Sequence, residues 1–461
     1  MTRRGALALA PAAAIAIGLA ALIVPGRLAE APRERAAAAP AAALVLGAPA
    51  GAAVTIGPHP IGLSIEYPLL AHDLGSGRCP SSALVHALEA LGSPPIRIGG
   101  DSQDAVAPAG TPAYPGVSDL PADFWSRVAC LERETRAPII VGLNLASGEP
   151  GWAAELAASA RAAIPSRLLS FELGNEPDIY GAPVRWWNGH ALTSTAMPWA
   201  TYLARARAVA AVLGAGSVLE GPDFASGRWV RMVPALTRTL HLRTIDAHFY
   251  PLDACRDPAT ATTAALLSRQ IQTKIDERVR LARDARAERL PAVISETNSV
   301  SCGGVAGISD EPAAAVWAVR MIVRALRAGF SSVRFHASGS AYDPFVVNAG
   351  VLTVRPLEVG LLFAARVLGA GGVLRAIPSG GALDAVAVTR PGGARIVVLS
   401  NYTAAPRWVS VAARGPVSMV GVAAAAPVHT AAVATVAGRA RVELAPNSVE
   451  AITLPPTRPA H

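Results

Sequence analysis

Two glutamates share a setting that suits them to chemistry. Glu176 stands in Leu169-Ser-Phe-Glu-Leu-Gly-Asn-Glu-Pro-Asp178, where a mostly apolar stretch delivers an Asn-Glu pair to a Pro-marked turn. Glu296 stands 120 residues later in Leu290-Pro-Ala-Val-Ile-Ser-Glu-Thr-Asn298, again at the end of a short buried-type strand. Cleaving an acetal requires a proton for the leaving oxygen and an anion facing the developing oxocarbenium carbon. Two carboxyl groups of opposed pKa serve where one does not. A lone Glu at a strand end is ordinarily a solvated or salt-bridged rim residue; the repeated setting separates this pair from that background.

The elements that must position them recur along the chain. Eight short apolar segments, each ending in polar residues or glycine, read as strands: 61–66, 95–98, 138–143, 168–173, 217–219, 244–248, 292–295 and 332–336. Stretches such as 81–91, 199–213, 264–287 and 313–328 have helix-compatible spacing and are rich in Ala, Leu and Arg. Strand-helix alternation of this kind predicts a (β/α)8 TIM barrel over residues 50–370. In such a barrel, groups at the carboxyl ends of strands converge on one mouth, and Glu176 and Glu296 follow the fourth and seventh segments. From about Gly371 the long helical patterns stop and short alternating runs such as 382–389, 395–399 and 441–444 predict an all-β sandwich over 371–461. A strand near 52–56 is placed to join it.

Composition narrows the function classes. A chain of 461 residues with 52% hydrophobic residues supplies one large domain and a smaller one. Its net charge of +8 is carried almost wholly by Arg, with Lys274 the single lysine. No basic block occurs, and stretches such as Arg278 to Arg289 interleave acids, so a solvated helical face is expected and a nucleic-acid partner is not. Arg3-Arg4 followed by the uncharged run Gly5 to Val24 reads, over residues 1–25, as a signal peptide or an N-terminal membrane anchor. Residues 26–49, rich in Ala and Pro, read as a linker. The chain is therefore expected to be exported, and secreted, periplasmic or anchored to the cell envelope. Four cysteines, Cys79, Cys130, Cys255 and Cys302, suit an exported chain with one or two disulfides. None has metal-ligand spacing. If the sixth and seventh strands are neighbours, the loops carrying Cys255 and Cys302 rise from one rim and either form a disulfide or hold two free thiols.

The segments Phe171-Glu-Leu-Gly-Asn-Glu-Pro-Asp178, Gly221-Pro-Asp223 and Ser295-Glu-Thr-Asn-Ser-Val-Ser-Cys-Gly-Gly304 together resemble glycoside hydrolase family 79, the family of β-glucuronidases and heparanases. The resemblance covers roughly residues 50 to 455 and implies a retaining enzyme with a barrel beside a β-sandwich. It implies that Glu176 is the acid/base and Glu296 the nucleophile. It further implies that Asn175 bonds the sugar 2-hydroxyl, with capping of the turn as the alternative, and that Arg97 orients the nucleophile unless it forms an ordinary ion pair. His248 and Tyr250, after the sixth strand, are placed to bond Glu296 or the sugar. Glu66 resembles a position that binds sugar hydroxyls, and Asp101 and Asp104 are candidates whose alternative is helix capping. Trp152, Trp186 and Trp187 either stack on sugar faces or pack helices.

In glucuronate-specific members the sugar carboxylate is held by two tyrosines and a glycine N–H, at positions that here read Ser301, Gly303 and Tyr342. One tyrosine is thus replaced by a smaller hydroxyl, a loss of about 1.5–3 kcal/mol of binding if nothing replaces it. The first reading is an exported retaining β-glucuronidase acting on a glucuronide or a glucuronic-acid-containing glycan, with neither metal nor other cofactor. A neutral-sugar β-glycosidase on the same scaffold and a non-catalytic cell-surface polysaccharide-binding protein are the alternatives.

Overall fold

A computed structural model describes residues 43–455 apart from 76, 78, 109, 111–117, 181–184, 188–189 and 194–196. The segment read as a signal or anchor lies outside the described residues. No helix among those described is long and apolar enough to cross a membrane.

Eight parallel strands close into a barrel: β1 (Ile61–Ile65), β2 (Ile96–Ile98), β3 (Ile139–Leu143), β4 (Leu168–Leu173), β5 (Leu219–Phe224), β6 (Thr244–Phe249), β7 (Ala292–Thr297) and β8 (Ser332–Ala337). They pair in sequence order, β8 returning to β1. Runs such as Ile-Ile-Val-Gly-Leu in β3 are buried at every position, because helices cover the outside while the barrel interior covers the inside. Side chains alternate, so Ile96 and Ile98 point opposite to Arg97 between them. The inward rows are unusually charged. Arg97, Glu172, Glu220, Asp246 and Arg334 are all buried, and Arg334 donates from both Nη atoms to Glu220, at 2.5 and 3.1 Å.

The helices begin and end where local chemistry allows. The Ser81 hydroxyl accepts from the Leu84 N–H at the start of helix Ser82–Ala90. Proline opens Pro150–Ala163, Pro312–Ala328 and Pro356–Leu368. Gly329, at φ +102°, closes Pro312–Ala328 in the left-handed region. That helix is buried on nearly all sides because it lies between the barrel and the sandwich. Its Arg320 reaches the carbonyls of Leu267, Asn401 and Ser448 and sits 4.1 Å from the Tyr402 ring centroid, joining the two regions.

The sandwich shows the expected alternation. Its seven-stranded sheet runs in the order 50–55, 373–377, 383–389, 395–401, 448–454, 417–423 and 426–433. Val386, Val388 and Val398 face the barrel-side core, whereas their neighbours Ala385, Val397 and Leu399 join a second core with Val409, Val442 and Leu444 of the smaller sheet.

Three boundaries differ from the sequence reading. The segment read as a linker to residue 49 already belongs to the sandwich at Leu44–Val45, which pairs with Val409–Ser410, and Leu46 is buried. Three consecutive apolar residues are hidden there in an Ala/Pro-rich average. The fifth strand, read as 217–219, runs from Leu219 through Gly221-Pro222 to Phe224, because a register shift accommodates the Gly-Pro pair that looked like a stop. The run 264–287, read as one helix, breaks at Ser268, whose hydroxyl caps a new turn by accepting from the Ile271 N–H.

Candidate active site

The carboxyl ends of the strands surround a cavity of about 470 Å³ lined by seven of the residues expected to bind substrate, by Cys255 and Cys302, and by Glu176 and Glu296 themselves. Glu176 follows β4 at φ +51°, a left-handed conformation that is uncommon for a non-glycine residue. Its N–H donates to the Asp223 carbonyl at 3.1 Å, which fixes the turn. Glu296 lies near the end of β7. One carboxylate oxygen of each glutamate and a ring nitrogen of His248 lie within 4.8 Å of one another.

The two carboxylates have different surroundings. Glu296 receives the Arg97 guanidinium at 2.7 Å on Oε2 and the Tyr250 hydroxyl at 2.9 Å on Oε1. His336 Nδ1 stands 3.5 Å from Oε2 and His248 Nδ1 3.8 Å from Oε1. Burial opposes ionisation of Glu296, but His336, His248 and Arg97, with the Tyr250 hydrogen bond, overcome it and hold the group well below the usual carboxylate range. Glu176 Oε1 meets His248 Nδ1 at 3.0 Å. On its other side His248 Nε2 lies 3.2 Å from Asp223 Oδ1. Burial pushes Asp223 up, yet the His248 hydrogen bond and Arg97 outweigh it and bring the carboxyl to about 2. The His248 ring is thus held between Asp223 on one side and Glu176 on the other, which fixes its orientation at the mouth.

Arg97 is the hub beneath the pair. Besides Glu296 it binds both oxygens of Glu172, at 2.7 and 2.6 Å, the Ser64 hydroxyl at 2.8 Å and Asn175 Oδ1 at 3.0 Å. The Asn175 amide nitrogen donates to Asp101 Oδ1 at 3.0 Å. Asn175 is therefore tied at both ends beneath the cavity and is not among the residues lining it, whereas Asp101 is. Glu66 accepts the N–H groups of Asp101 and Ser102, at 2.9 and 2.8 Å, and its Oε1 lies 3.2 Å from His336 Nε2. Gly100 permits this approach: at φ +88°, a Cβ there would stand 2.3 Å from Glu66 Oε1. Asp104 is turned away from the mouth, capping the Leu145 and Ala146 amides and accepting from Tyr180.

Ser301, Gly303 and Tyr342 all line the cavity. The Ser301 hydroxyl donates to Asp253 at 3.0 Å. The Gly303 N–H donates to no protein group among the described residues. Cys255 and Cys302 form a disulfide at the cavity wall, and Cys79 and Cys130 form a second one outside it. Trp152 lies in helix Pro150–Ala163, away from the lining, while the side chains of Trp186 and Trp187 lie outside the described residues. By distance alone, Glu176, His248 and Glu296 form a set that a metal ion could bridge. Arg97 and Tyr250 already supply Glu296 with its positive and donor partners, so the donor set is that of a protein-neutralised carboxylate.

The sequence reading omitted His336, Glu172 and the role of Asp223. Burial opposes charging of His336, but Glu296 and Glu66 raise its pKa above the ordinary value. Its signal was available: it is the last polar residue of the eighth strand, the position that delivers side chains to the mouth.

No protein-family model matches the chain, and no curated protein does. Solved glycoside hydrolases share its fold. A 4-O-α-L-rhamnosyl-β-D-glucuronidase from Fusarium oxysporum 12S superposes with a TM-score of 0.71 at 21% identity, covering 90% of this chain and 100% of that one. A family 51 arabinofuranosidase from Xanthomonas axonopodis pv. citri gives 0.65 at 14% identity over 90% and 99%. The catalytic domain of a family 30 xylanase C from Talaromyces cellulolyticus gives 0.56 at 12% identity over 89% and 99%. What these likenesses establish is a common architecture, a closed parallel barrel with appended β-sheets.

Proposed function

We propose that the protein is a retaining β-glycoside hydrolase, with Glu296 as nucleophile and Glu176 as acid/base. The observation that carries this reading is the close approach of the two carboxylates at the mouth: one oxygen of each lies with a His248 ring nitrogen within 4.8 Å of one another, and His336, His248 and Arg97 hold Glu296 ionised. Retention requires carboxyl groups about 5–5.5 Å apart, whereas inversion leaves room for a water at about 6.5–9.5 Å. In the first step a Glu296 oxygen bonds the anomeric carbon as the bond to the leaving oxygen breaks, and Glu176 gives that oxygen its proton. In the second, Glu176 takes a proton from water, whose oxygen bonds the anomeric carbon on the face the leaving group vacated as the bond to Glu296, on the opposite face, breaks.

The favoured substrate is a β-glucuronide. Gly303 and Tyr342, which line the cavity, support it, as does the likeness to the fungal rhamnosyl-glucuronidase. A neutral-sugar reading has its own support: Ser301 gives its single hydroxyl hydrogen to Asp253, so a carboxylate stands where a uronate would need a donor. Export, with secretion or anchoring at the envelope, is proposed from the Arg3-Arg4 and Gly5 to Val24 segment and fits a chain with two disulfides.

Hydrolysis of p-nitrophenyl β-D-glucuronide and the matching glucoside by the full chain, with Glu296→Ala as control, tests this reading. Glucuronide turnover lost in the control supports it. Glucoside turnover alone keeps the catalytic pair and discards the uronate. Polysaccharide binding without turnover of any glycoside overturns the enzymatic assignment.

A further inference from the structure

The cavity lining divides between the two glutamates. Glu66, His336 and Tyr342 gather around Glu296, while Ala225 and Ser226 are tied through Asp178 to the turn that bears Glu176, and Arg278 is tied to Ala225. Arg278 ends the turn Lys274–Arg278, created by the break in the run that the sequence reads as one helix. Its Nε donates to the His248 carbonyl at 3.2 Å and its Nη2 to the Ala225 carbonyl at 2.7 Å. The amides of Ala225 and Ser226 in turn bind Asp178, two residues after Glu176, at 3.0 and 2.9 Å. The guanidinium is thereby fixed by backbone on both flanks in the wall of the cavity that Glu176 also lines.

This cation forms no ion pair among the described residues. Asp178 acts on it only at a distance, its oxygens being occupied by the two amides and the Ser226 hydroxyl, and Glu277 is exposed. Burial lowers the Arg278 pKa because water is withdrawn, and Glu277 and Asp178, neither of them paired with it, offset this only in part. Of the five N–H donors of a guanidinium, two serve the carbonyls and three remain, including both on Nη1 and one on Nη2. Those two nitrogens form the edge that accepts a two-oxygen anion.

We propose that Arg278 binds an anionic leaving group, an aglycone or neighbouring sugar that carries a carboxylate or sulfate. The proposal rests on the glycosidase reading, because Glu176 marks the leaving-group side only if it is the acid. An acidic aglycone supplies the missing counter-ion in a site already held by backbone, and its binding is realised at a part of the substrate that does not react.

The test is a ratio. Glycosides of one accepted sugar with 4-carboxyphenyl and 4-(methoxycarbonyl)phenyl aglycones are compared by kcat/KM in the wild-type protein, Arg278→Gln and Arg278→Lys. The electronic difference between the two phenols is the same for every protein and cancels between them. The acid-to-ester ratio is expected to fall about tenfold or more in Arg278→Gln, as for loss of a charged, forked hydrogen bond. Arg278→Lys should keep part of the advantage, and added salt should erode it in the wild type. Equal ratios in the wild type and Arg278→Gln overturn the proposal and leave Arg278 a tie between strand ends. If Arg278→Gln does not fold, equal ratios in wild type and Arg278→Lys with no salt dependence overturn it equally. Hydrolysis of neither glycoside defeats the glycosidase reading instead. Calorimetric binding of 4-hydroxybenzoate, weakened in Arg278→Lys, then still supports an anion site, and identical binding in the two proteins refutes it.

Discussion

Replacing Glu358 by Gln should flatten the pH dependence of stability. Glu358 lies in the first turn of helix Pro356–Leu368, is 1% exposed, and neither of its carboxyl oxygens has a hydrogen-bond partner. Burial alone raises its pKa from 4.5 to about 8. The folded pKa lies above the unfolded one, so the stability it contributes is fully present below pH 4.5 and is lost progressively as pH rises to about 8. Between pH 5 and pH 8 the unfolded chain releases this proton while the folded one retains most of it, which corresponds to roughly 3–4 kcal/mol, an upper figure if the helix relaxes around the charge. A glutamine has no proton to lose, and every other titrating group is common to both proteins. Urea unfolding of wild type and Glu358→Gln, measured at several pH values, should therefore show the stability difference shifting in favour of the variant by that amount from pH 5 to pH 8. Parallel pH profiles would refute the reasoning, because they would mean that Glu358 is ionised or paired in the folded protein.

Glu296→Ala should abolish turnover, and azide should restore it with inverted product configuration, read by NMR of the released sugar. Glu176→Ala should lower kcat/KM for poor leaving groups by about 10²–10⁴ while largely sparing activated aryl glycosides, so an equal loss on both argues against its acid role. Asp223→Ala removes the anion that orients His248 and lies near Glu176, so the basic limb of the kcat/KM profile should move to lower pH. An unmoved limb would make Asp223 a packing residue.

The strands that carry the site were legible because each is a short apolar run that ends in polar residues, and barrel closure requires those ends to share one mouth. Glu176, Glu296, His248 and Tyr250 could be placed from that rule alone. Arg97 and Glu172 illustrate what it cannot reach: they are 75 residues apart and meet only because the barrel closes, although each stands alone in an apolar strand. Helix propensity over 264–287 was sound locally but could not weigh a serine that caps a new turn. Gly221-Pro222 is a fair stop signal in an isolated strand; between two paired barrel strands the surrounding ladder carries the chain through it. Leu44 to Leu46 escaped notice because a composition average over an Ala/Pro segment is insensitive to three residues.

Asn175 shows how the buried layer shapes the chemistry. Judged by its place beside Glu176 it belongs to the substrate, yet its carbonyl accepts from Arg97 and its amide nitrogen donates to Asp101. Arg97 also binds Glu296, so one guanidinium connects the turn bearing the acid to the strand bearing the anion. The same cation favours ionisation of Glu296, whereas Glu176 meets a histidine whose far side faces an ionised Asp223. Arg97 and His248, partners of the two nearby carboxyl groups, thus come from one layer of strand-borne side chains. Removing any member leaves another buried charge without its partner. Substitutions in this layer should therefore cost stability as well as activity, while Tyr250 and Arg278, which reach the cavity from its wall, are better placed to separate the two effects.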